Sequence, residues 1–282
     1  MKDEKYHEPV LVKEILSELG LKALLKTKAR IIDATAGTGG HMQAMVKAQA
    51  NVLGIEADPE MLKIAKGRLK NCILVHGNFK DIDRIAKDNG FDKVDGILFD
   101  LGVSNLQLTS TERGFSFINP KALLDMRVDK NFQGVTGATL LNVLRKDQLE
   151  EMFSKVLDLA SSGWLAKRVL EKRGIMSIKT VGDFLEICEG LKGKARLNPA
   201  TLPFLALRMA VNCELENLAI ALPKAFNLLK KSGKILVITF HSGEEKVVRN
   251  FSKDLVGPIK PDIKEIGKNP RSRSAELFVF KK

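Results

Sequence analysis

Short apolar runs alternate with helix-like segments over the first part of this chain, and that alternation constrains the fold more than any other feature. The β-type runs cover residues 30–33, 52–56, 73–75 and 96–100. Between the second and third runs, residues 58–69 place their apolar side chains at helical spacing. Alternating strands and helices predict a parallel sheet with helices on both faces, which binds its ligand at the carboxyl ends of the strands.

The rhythm changes in the middle of the chain. Strand-like runs vanish between about residue 109 and residue 201, and amphipathic stretches such as residues 146–160 replace them. Residues 198–222 are predicted to form one long buried helix, after which strands resume at residues 231–240 and 275–280. We therefore predict an α/β sheet domain in two parts, residues 1–108 and 202–282, with an inserted all-helical subdomain at residues 109–201.

The net charge and the cysteines of the chain indicate which kinds of binding partner and which cellular compartment to expect. The chain has 282 residues, and 46 lysines and arginines against 34 acidic residues give a formal net charge of +12. This surplus favours a polyanionic partner, although a lysine-rich surface kept for solubility is the alternative. Three widely spaced cysteines without a CxxC motif indicate reduced thiols in a cytoplasmic protein with no metal site. No apolar run is long enough to cross a membrane, and the N-terminus does not resemble a secretion signal.

A glycine-rich turn, residues 36–41, follows the first predicted strand. A strand, such a turn and a helix can hold a nucleoside triphosphate, a dinucleotide or S-adenosylmethionine. The P-loop pattern is absent, and Gly37, Gly39 and Gly40 lack the later glycine of the dinucleotide fingerprint. Asp33 at the strand end would repel a pyrophosphate but suits a sulfonium or an ammonium group. The turn therefore favours S-adenosylmethionine and disfavours an NAD-dependent oxidoreductase.

Three further residues extend this candidate site. Glu56 ends the second run and can accept hydrogen bonds from ribose hydroxyls, which NAD and S-adenosylmethionine share. Phe79 follows the third run, where it either flanks an adenine or is an ordinary core residue. Asp100 ends the fourth run and leads into a loop containing Gly102, the place where the transferable methyl group would lie. That loop reads Asp-Leu-Gly-Val, where amino-methylating enzymes usually carry Asp or Asn followed by Pro-Pro and an aromatic residue.

These residues belong to a larger set of ordered motifs that resembles the MraW (RsmH) family. The motifs that carry the resemblance span nearly the whole chain: HEPVL from residue 7, GTGGH, HGNF, DGILFDLGVSN, RGFSF, LDMRVD, NPATLPFLALRMAVNCEL, ITFHSGEEKVV and NPRSRSAEL. The resemblance implies a Rossmann-like class I methyltransferase sheet that uses S-adenosylmethionine. It also implies methylation of a cytosine N4 in 16S ribosomal RNA, at the decoding centre of the small ribosomal subunit.

Together, the residues and the resemblance predict a cofactor site made of Asp33, Gly37, Gly39, Gly40, His41, Glu56, Phe79, Asp100 and Gln107. The chain departs from the family pattern at three places. SNLQ replaces Ser-Ser-Pro-Gln, HSGEE replaces His-Ser-Leu-Glu-Asp, and Ala57 replaces an arginine. These changes leave room for an alternative function, a non-catalytic RNA-binding assembly factor with a retained cofactor fold.

The implied chemistry suggests catalytic candidates. The N4 amine of cytosine is a poor nucleophile because its lone pair is delocalised into the ring. A carboxylate or carbonyl that accepts its N–H hydrogen bonds would aim the lone pair at the methyl group. We expect Asp100 and the loop that carries Ser104 and Asn105 to do this. His241 is either a proton shuttle or a hydrogen-bonded structural histidine.

The positive charge is expected to contact RNA. Candidate contacts are Lys167 and Arg168, near a tryptophan that either stacks a base or anchors the core, and Arg271 and Arg273. Arg113 and Arg127 either hold phosphates or pair with neighbouring aspartates. The expected partner is 16S ribosomal RNA or the small subunit, with no membrane and no metal. A homodimer is compatible with the sequence.

Overall fold

The computed structural model describes residues 9–21, 29–191, 198–252 and 254–282. The chain divides into two compact units, Met1–Ser104 with Leu215–Lys282, and Asn105–Glu214. The first is a sheet unit and the second is a helical unit. The predicted α/β class with an inserted helical subdomain is confirmed, since the described part of the second unit contains helices and a single isolated bridge between Leu123 and Thr180.

Seven strands form one sheet in the first unit. They are β1 (Arg30–Asp33), β2 (Asn51–Glu56), β3 (Ile73–His76), β4 (Val94–Asp100), β5 (Leu229–Thr239), β6 (Leu255–Ile259) and β7 (Glu276–Lys281). Their order across the sheet is β3-β2-β1-β4-β5-β7-β6. The first five strands run parallel, and β7 is antiparallel to both of its neighbours. The carboxyl ends of β1, β2 and β4 therefore meet at one edge of the sheet.

In the described part of the sheet unit, six helices connect or cover these strands. They are α1 (Val12–Glu18), α2 (Gly40–Lys47), α3 (Pro59–Arg68), α4 (Ile82–Asp88), α12 (Ser242–Phe251) and α13 (Ile263–Lys268). A further helix, α11 (Glu214–Leu228), begins at the last residue of the helical unit and continues into the sheet unit. Short 3-10 turns cover Phe79–Asp81 and Pro270–Ser274.

Alternate side chains of the strands pack into two cores, one on each face of the sheet. Ile32, Ile97 and Val237 belong to the core that α4, α11 and α12 cover. Ile31 and Leu98 belong to the other core, which α1 and α2 cover. This is the period of two expected of strands that are buried on both faces.

The described helices of the second unit are α5 (Asn105–Thr109), α6 (Gly137–Val143), α7 (Lys146–Ser154), α8 (Leu159–Ile175), α9 (Val181–Cys188) and α10 (Thr201–Asn212). Of these, α7, α9 and α10 contribute buried phenylalanines that contact one another. The rings of Phe153 and Phe184 stack at 6.3 Å, and Phe184 lies 5.0 Å from Phe204. Thr180 and Asp183 form a capping box at the start of α9.

The boundaries of the helical unit differ from the predicted ones. The helical unit begins at Asn105 rather than residue 109, and it extends to Glu214 rather than residue 201. Helix α10 accounts for the second difference, because it contacts α6 and α7. The prediction of one helix over residues 198–222 is also wrong. Cys213 adopts a left-handed conformation that ends α10, and α11 begins at the next residue.

Candidate functional site

Three carboxylates lie along the carboxyl edge of the sheet. Asp33, Glu56 and Asp100 are the last residues of β1, β2 and β4, which are neighbours in the sheet. Each follows a run of apolar side chains that the two cores bury, so packing of these runs brings the acidic groups together. The sheet thus concentrates negative charge where the predicted ligand site lies.

The glycine turn joins β1 to α2 above this edge. Its backbone is fixed to β2 by a 2.9 Å hydrogen bond from the Ala36 N–H to the Ile55 carbonyl. Gly39 has a φ of 90°, and a Cβ there would lie 2.6 Å from Leu69 Cδ1, so another residue would be strained and crowded. A Cβ at Gly37, by contrast, has only the Thr35 carbonyl within 4 Å. The turn therefore leaves open space at Gly37.

Glu56 ties the turn to the sheet. Its Oε2 accepts a hydrogen bond from the Gly37 N–H at 2.6 Å, and its Oε1 accepts one from the Asp58 N–H at 2.7 Å. Burial raises the pKa of Glu56 to about 7, although these two backbone donors act to lower it. Each carboxylate oxygen of Glu56 can accept a second hydrogen bond in addition to the one from the backbone. Glu56 can therefore still accept hydrogen bonds from ribose hydroxyls, as predicted.

His41 lies between the other two carboxylates. It occupies the first turn of α2 and is buried, and its Nε2 lies 3.2 Å from Asp100 Oδ2. Asp33 is 1% exposed, and its Oδ1 accepts the Thr35 N–H at 3.2 Å. Asp33 Oδ2, Asp100 Oδ1 and both ring nitrogens of His41 are buried and have no aligned hydrogen-bond partner among the described residues. Buried carboxylate oxygens without donors are costly unless a ligand satisfies them.

Burial and charge set the protonation of this cluster. Burial raises the pKa of Asp33 to about 6, and the His41 charge only partly offsets this rise. Burial lowers the pKa of His41, but its hydrogen-bonding interaction with Asp100 and the charges of Asp100, Asp33 and Glu265 more than reverse that effect. The pKa of His41 is therefore raised above its usual value of 6.5. The cluster is arranged around positive charge.

Other predicted site residues occupy several places. Gly40 is the first residue of α2. Phe79 is half-buried, with its ring edge-on to Phe99 at 5.7 Å. Ser104 is the last residue of the first part of the sheet unit, and its hydroxyl contacts the Met61 sulfur at 3.2 Å. Asn105 and Gln107 lie in α5 of the helical unit, where Gln107 is buried.

His241 caps α12. Its Nδ1 accepts a hydrogen bond from the Glu244 N–H at 3.4 Å, and its Nε2 lies 3.3 Å from Glu244 Oε1. Glu244 Oε2 in turn accepts the Phe240 N–H at 2.8 Å. These contacts are those expected of a hydrogen-bonded structural histidine. A role of His241 as a proton shuttle stays a prediction.

Two of the predicted RNA contacts are internal to the helical unit. Arg113 is 7% exposed, and its guanidinium donates to the carbonyls of Arg127 and Val128. Arg127 forms a bidentate ion pair with Asp125 at 2.6 and 3.0 Å. The prediction of Arg113 as an RNA contact is corrected, because its charged group is buried. Arg127 takes the alternative of pairing with a neighbouring aspartate.

The two predicted RNA contacts on α8, Lys167 and Arg168, make longer contacts within the helical unit than Arg113 and Arg127 do. The Lys167 side chain is 73% exposed and lies 3.7 Å from Glu171. Arg168 lies 5.7 Å from the centre of the Trp164 ring and donates to the Glu186 carbonyl at 3.4 Å. Their roles toward RNA remain predictions.

A basic segment connects β6 to β7 in the sheet unit, and we call residues 260–275 the basic crossover. Because β6 ends and the antiparallel β7 begins at the carboxyl edge, the basic crossover lies on the same edge as the carboxylates. Exposed residues of this segment include Lys264, Lys268, Arg271 and Arg273. Its Glu265 accepts the Leu11 N–H at 2.7 Å and is among the charges that act on His41.

Two contributors to the site were not predicted. Thr35 fixes the end of β4 because its hydroxyl accepts the Asp100 N–H at 2.6 Å. Its position beside Asp33 and the glycine turn was a usable signal. Glu265 lies far along the chain in a helix of six residues, and no local pattern marks it.

Comparisons with known proteins agree with this geometry. Residues 4–257 match the model of the MraW methylase family. A protein named ribosomal RNA small subunit methyltransferase H, from Methylacidiphilum infernorum, is 39% identical over 97% of this chain and 93% of that relative. One with the same name from Coprothermobacter proteolyticus is 36% identical over 98% of this chain and 96% of that relative.

The chain belongs to the MraW methylase family. Membership confirms the predicted enzyme class, a methyltransferase that uses S-adenosylmethionine. Residues 7 and 8 of the first MraW motif lie outside the described residues. Within the described part of the chain, no helix has the length and apolar character that crossing a bilayer requires.

Proposed function

We propose that this MraW methylase transfers a methyl group from S-adenosylmethionine to N4 of a cytosine in 16S ribosomal RNA, at the decoding centre of the small subunit. The observation that carries the proposal is the match along almost the full length of relatives that are named for small-subunit ribosomal RNA methylation. The carboxylate edge and the basic crossover supply the two kinds of binding that such a reaction needs.

The residues at the carboxylate edge fit the methyl donor. Asp33 Oδ2 and Asp100 Oδ1 are buried acceptors without donors, which suits a ligand carrying a sulfonium and an ammonium group. Within the described ranges no side chain caps α2, and its first N–H groups are suited to the carboxylate of the donor. The open space at Gly37 leaves room for a close approach to the turn.

We assign the remaining contacts by chemistry. Glu56 would hold the ribose hydroxyls through the capacity of its oxygens beyond the Gly37 and Asp58 bonds. Phe79 would contact the adenine, and the cofactor role of Gln107, in the helical unit, stays a prediction from the resemblance. When bound, the donor supplies a methyl group on a positively charged sulfur, which makes that carbon electrophilic.

Asp100 is the residue we assign to the target amine. Its Oδ1 can accept an N–H hydrogen bond, which draws nitrogen electron density out of the ring and orients the lone pair. Gly102, with a φ of 93°, turns the chain directly after Asp100, so backbone carbonyls up to Ser104 are candidates for the second N–H. Positioning of this kind contributes up to roughly 7–11 kcal/mol in favourable systems.

A strong base is not required, because the amine becomes acidic only as its new bond to carbon forms. Asp100 can hold the proton briefly and pass it to solvent. Ser104, Asn105 and His241 remain candidates for orienting the base or relaying that proton.

Product analysis tests the proposed function. We expect purified enzyme with isotope-labelled S-adenosylmethionine to add one label per small subunit, recovered as N4-methylcytidine when the RNA is digested and analysed by mass spectrometry. Free 16S RNA in parallel shows whether an assembled subunit is needed. Saturable donor binding without any labelled nucleoside on either substrate would support the assembly-factor alternative instead.

The basic crossover is the surface we assign to RNA in the sheet unit. Arg271 and Arg273 are exposed on the edge that carries Asp100, where they could hold phosphates beside the target nucleotide. Each phosphate contact releases condensed counterions, so its loss reduces the salt dependence of binding.

We expect the Arg271→Ala/Arg273→Ala double variant to weaken RNA binding. A plot of the log of the association constant against log salt concentration should become less steep, its negative slope decreasing in magnitude by about one to two. The measurement is fluorescence anisotropy with a labelled small-subunit RNA fragment at several salt concentrations. The matched control is Lys231→Ala/Lys281→Ala, which removes the same charge from exposed positions at the opposite edge of the sheet. Equal slopes for both double variants would contradict the assignment.

A further inference from the structure

His41 is a buried ionisable residue at the carboxylate edge that has no role in the proposed methyl transfer. His41 is 6% exposed, and its Nε2 lies 3.2 Å from Asp100 Oδ2 as a charge contact. Neither ring nitrogen has an aligned hydrogen-bond partner among the described residues. A buried ring whose two nitrogens are both unsatisfied is unfavourable unless its charge or orientation serves the site.

Described charged groups face His41 from three elements. Asp33 ends β1, Asp100 ends β4, and Glu265 lies on α13 of the basic crossover. All three are acidic, so they favour the charged imidazolium over the neutral ring. The pKa of His41 is raised in consequence, even though burial opposes its charged form. At pH values below this raised pKa, the ring of the free enzyme supplies positive charge to Asp33 and Asp100.

The methyl donor brings a second positive charge to the same carboxylates. The sulfonium adds its charge to that of the ammonium group at these carboxylates. It weakens further the field of Asp33 and Asp100 that stabilises the imidazolium, and it repels the ring in a medium of low dielectric constant. The two cations therefore compete for the same carboxylates. Loss of one proton by the ring resolves this competition.

We propose that His41 is a positioning residue that pairs with Asp100 as an imidazolium in the free enzyme and releases one proton when S-adenosylmethionine binds. The inference rests on the proposed function. The N–H bond that breaks is the one at Nδ1, because Nε2 lies 3.2 Å from Asp100 Oδ2 and the charge of that carboxylate favours a hydrogen on Nε2. The proton goes to buffer, and the neutral ring continues to orient the Asp100 carboxylate.

The charge of the donor makes the proposal specific. S-adenosylhomocysteine, the demethylated product, has the same groups but a neutral sulfur, so it should leave the imidazolium in place. Proton release is linked to affinity, and the proton therefore competes with the donor. Below the raised pKa of His41, affinity for S-adenosylmethionine should fall up to tenfold per pH unit, whereas the His41-linked loss should be absent for S-adenosylhomocysteine.

The test is ¹⁵N NMR of the full chain labelled at histidine, which has only four such residues. At pH 6.5, the usual histidine pKa, we expect an imidazolium pattern for His41 in the free enzyme. Saturating S-adenosylmethionine should convert it to a neutral ring protonated at Nε2, and S-adenosylhomocysteine should not. Titration calorimetry in two buffers of different ionisation enthalpy should count about one more proton released for the first ligand than for the second.

Assignment uses His41→Gln. If that variant does not fold, His7→Gln, His76→Gln and His241→Gln assign the other three histidines, and the remaining signal belongs to His41. A neutral His41 ring in the free enzyme overturns this inference but not the proposed function. The same protonation state of His41 with both ligands does so as well. Failure of both ligands to bind overturns the proposed function and this inference with it.

Discussion

Asp100→Asn is expected to lower the rate of methyl transfer by about 10²- to 10⁴-fold while the enzyme stays folded. Asparagine has the same shape, and the hydrogen bond from residue 100 to Thr35 uses the backbone N–H, so the end of β4 should stay in place. The substitution removes the negative charge that faces His41 and replaces one carboxylate oxygen with an amide donor. That donor cannot accept an N–H from the target amine. Single-turnover transfer of labelled methyl to the small subunit measures the loss.

The matched control is Asp95→Asn on the same strand. Asp95 lies near the amino end of β4, where its carboxylate binds the Arg30 N–H and the Lys230 ammonium at 2.8 and 2.9 Å. This variant loses stabilising contacts of a similar kind far from the carboxyl edge, so its single-turnover rate should stay within a few-fold of wild type. An Asp100→Asn rate equal to that of the control would remove Asp100 from the chemistry.

The carboxyl edge of the sheet could be predicted because the relevant signals are local. Each apolar run that ends in an acid became a strand with that acid at its tip, as at Asp33, Glu56 and Asp100. Burial on both faces requires such runs, and parallel strands place their ends together. The glycine turn was equally visible, since Gly39 adopts a conformation that other residues reach only with strain.

Elements that contradict their local propensity could not be predicted. Strand β6 contains Gly257 and Pro258, which disfavour strands, yet it pairs with β7 at the edge of the sheet, where a proline is tolerated. The break between α10 and α11 occurs at Cys213 without a glycine or proline to mark it. There, Arg208 pairs with Glu214 across the break at 2.8 Å, and Asn212 donates to the Met126 carbonyl. These tertiary contacts stabilise an interruption that the apolar periodicity hides.

Pairing of charged groups was also beyond the sequence. His41 and Asp100 were both expected at the cofactor site, but their ion pair depends on β1 and β4 being neighbours. The same limit explains Arg113, for which the sequence left open a phosphate contact or pairing with a neighbouring aspartate. The fold instead directs its guanidinium at two backbone carbonyls. Charge patterns identify the cations of a chain, whereas only the fold decides which of them are available to a partner.

Asp33→Asn is expected to separate stability from donor binding. Burial raises the pKa of Asp33 to about 6, so the folded state holds this proton more tightly than the unfolded chain does. The corresponding stabilisation is fully present below the unfolded value of 3.8 and is lost as the pH rises through 6. At pH 8, the ionised group therefore costs roughly 3 kcal/mol of folding free energy. Asparagine keeps the oxygen that accepts the Thr35 N–H, and it removes the charge. Its buried NH₂ group has no acceptor, which costs about 1–2 kcal/mol of folding free energy.

The variant should consequently be more stable than wild type at pH 8 by roughly 1–2 kcal/mol, and its melting temperature should rise by several degrees. The difference should shrink or reverse near pH 4, because wild-type Asp33 is protonated there. The same variant should bind S-adenosylmethionine about tenfold or more weakly, since the buried negative charge that offsets the sulfonium is gone. Thermal unfolding at both pH values and donor titration at pH 8 measure the two effects, with exposed Asp92→Asn as the control. A lower melting temperature than wild type at pH 8 would mean that the charge of Asp33 stabilises the fold, and the carboxylate edge would then be a structural feature rather than a binding site maintained at a cost in stability.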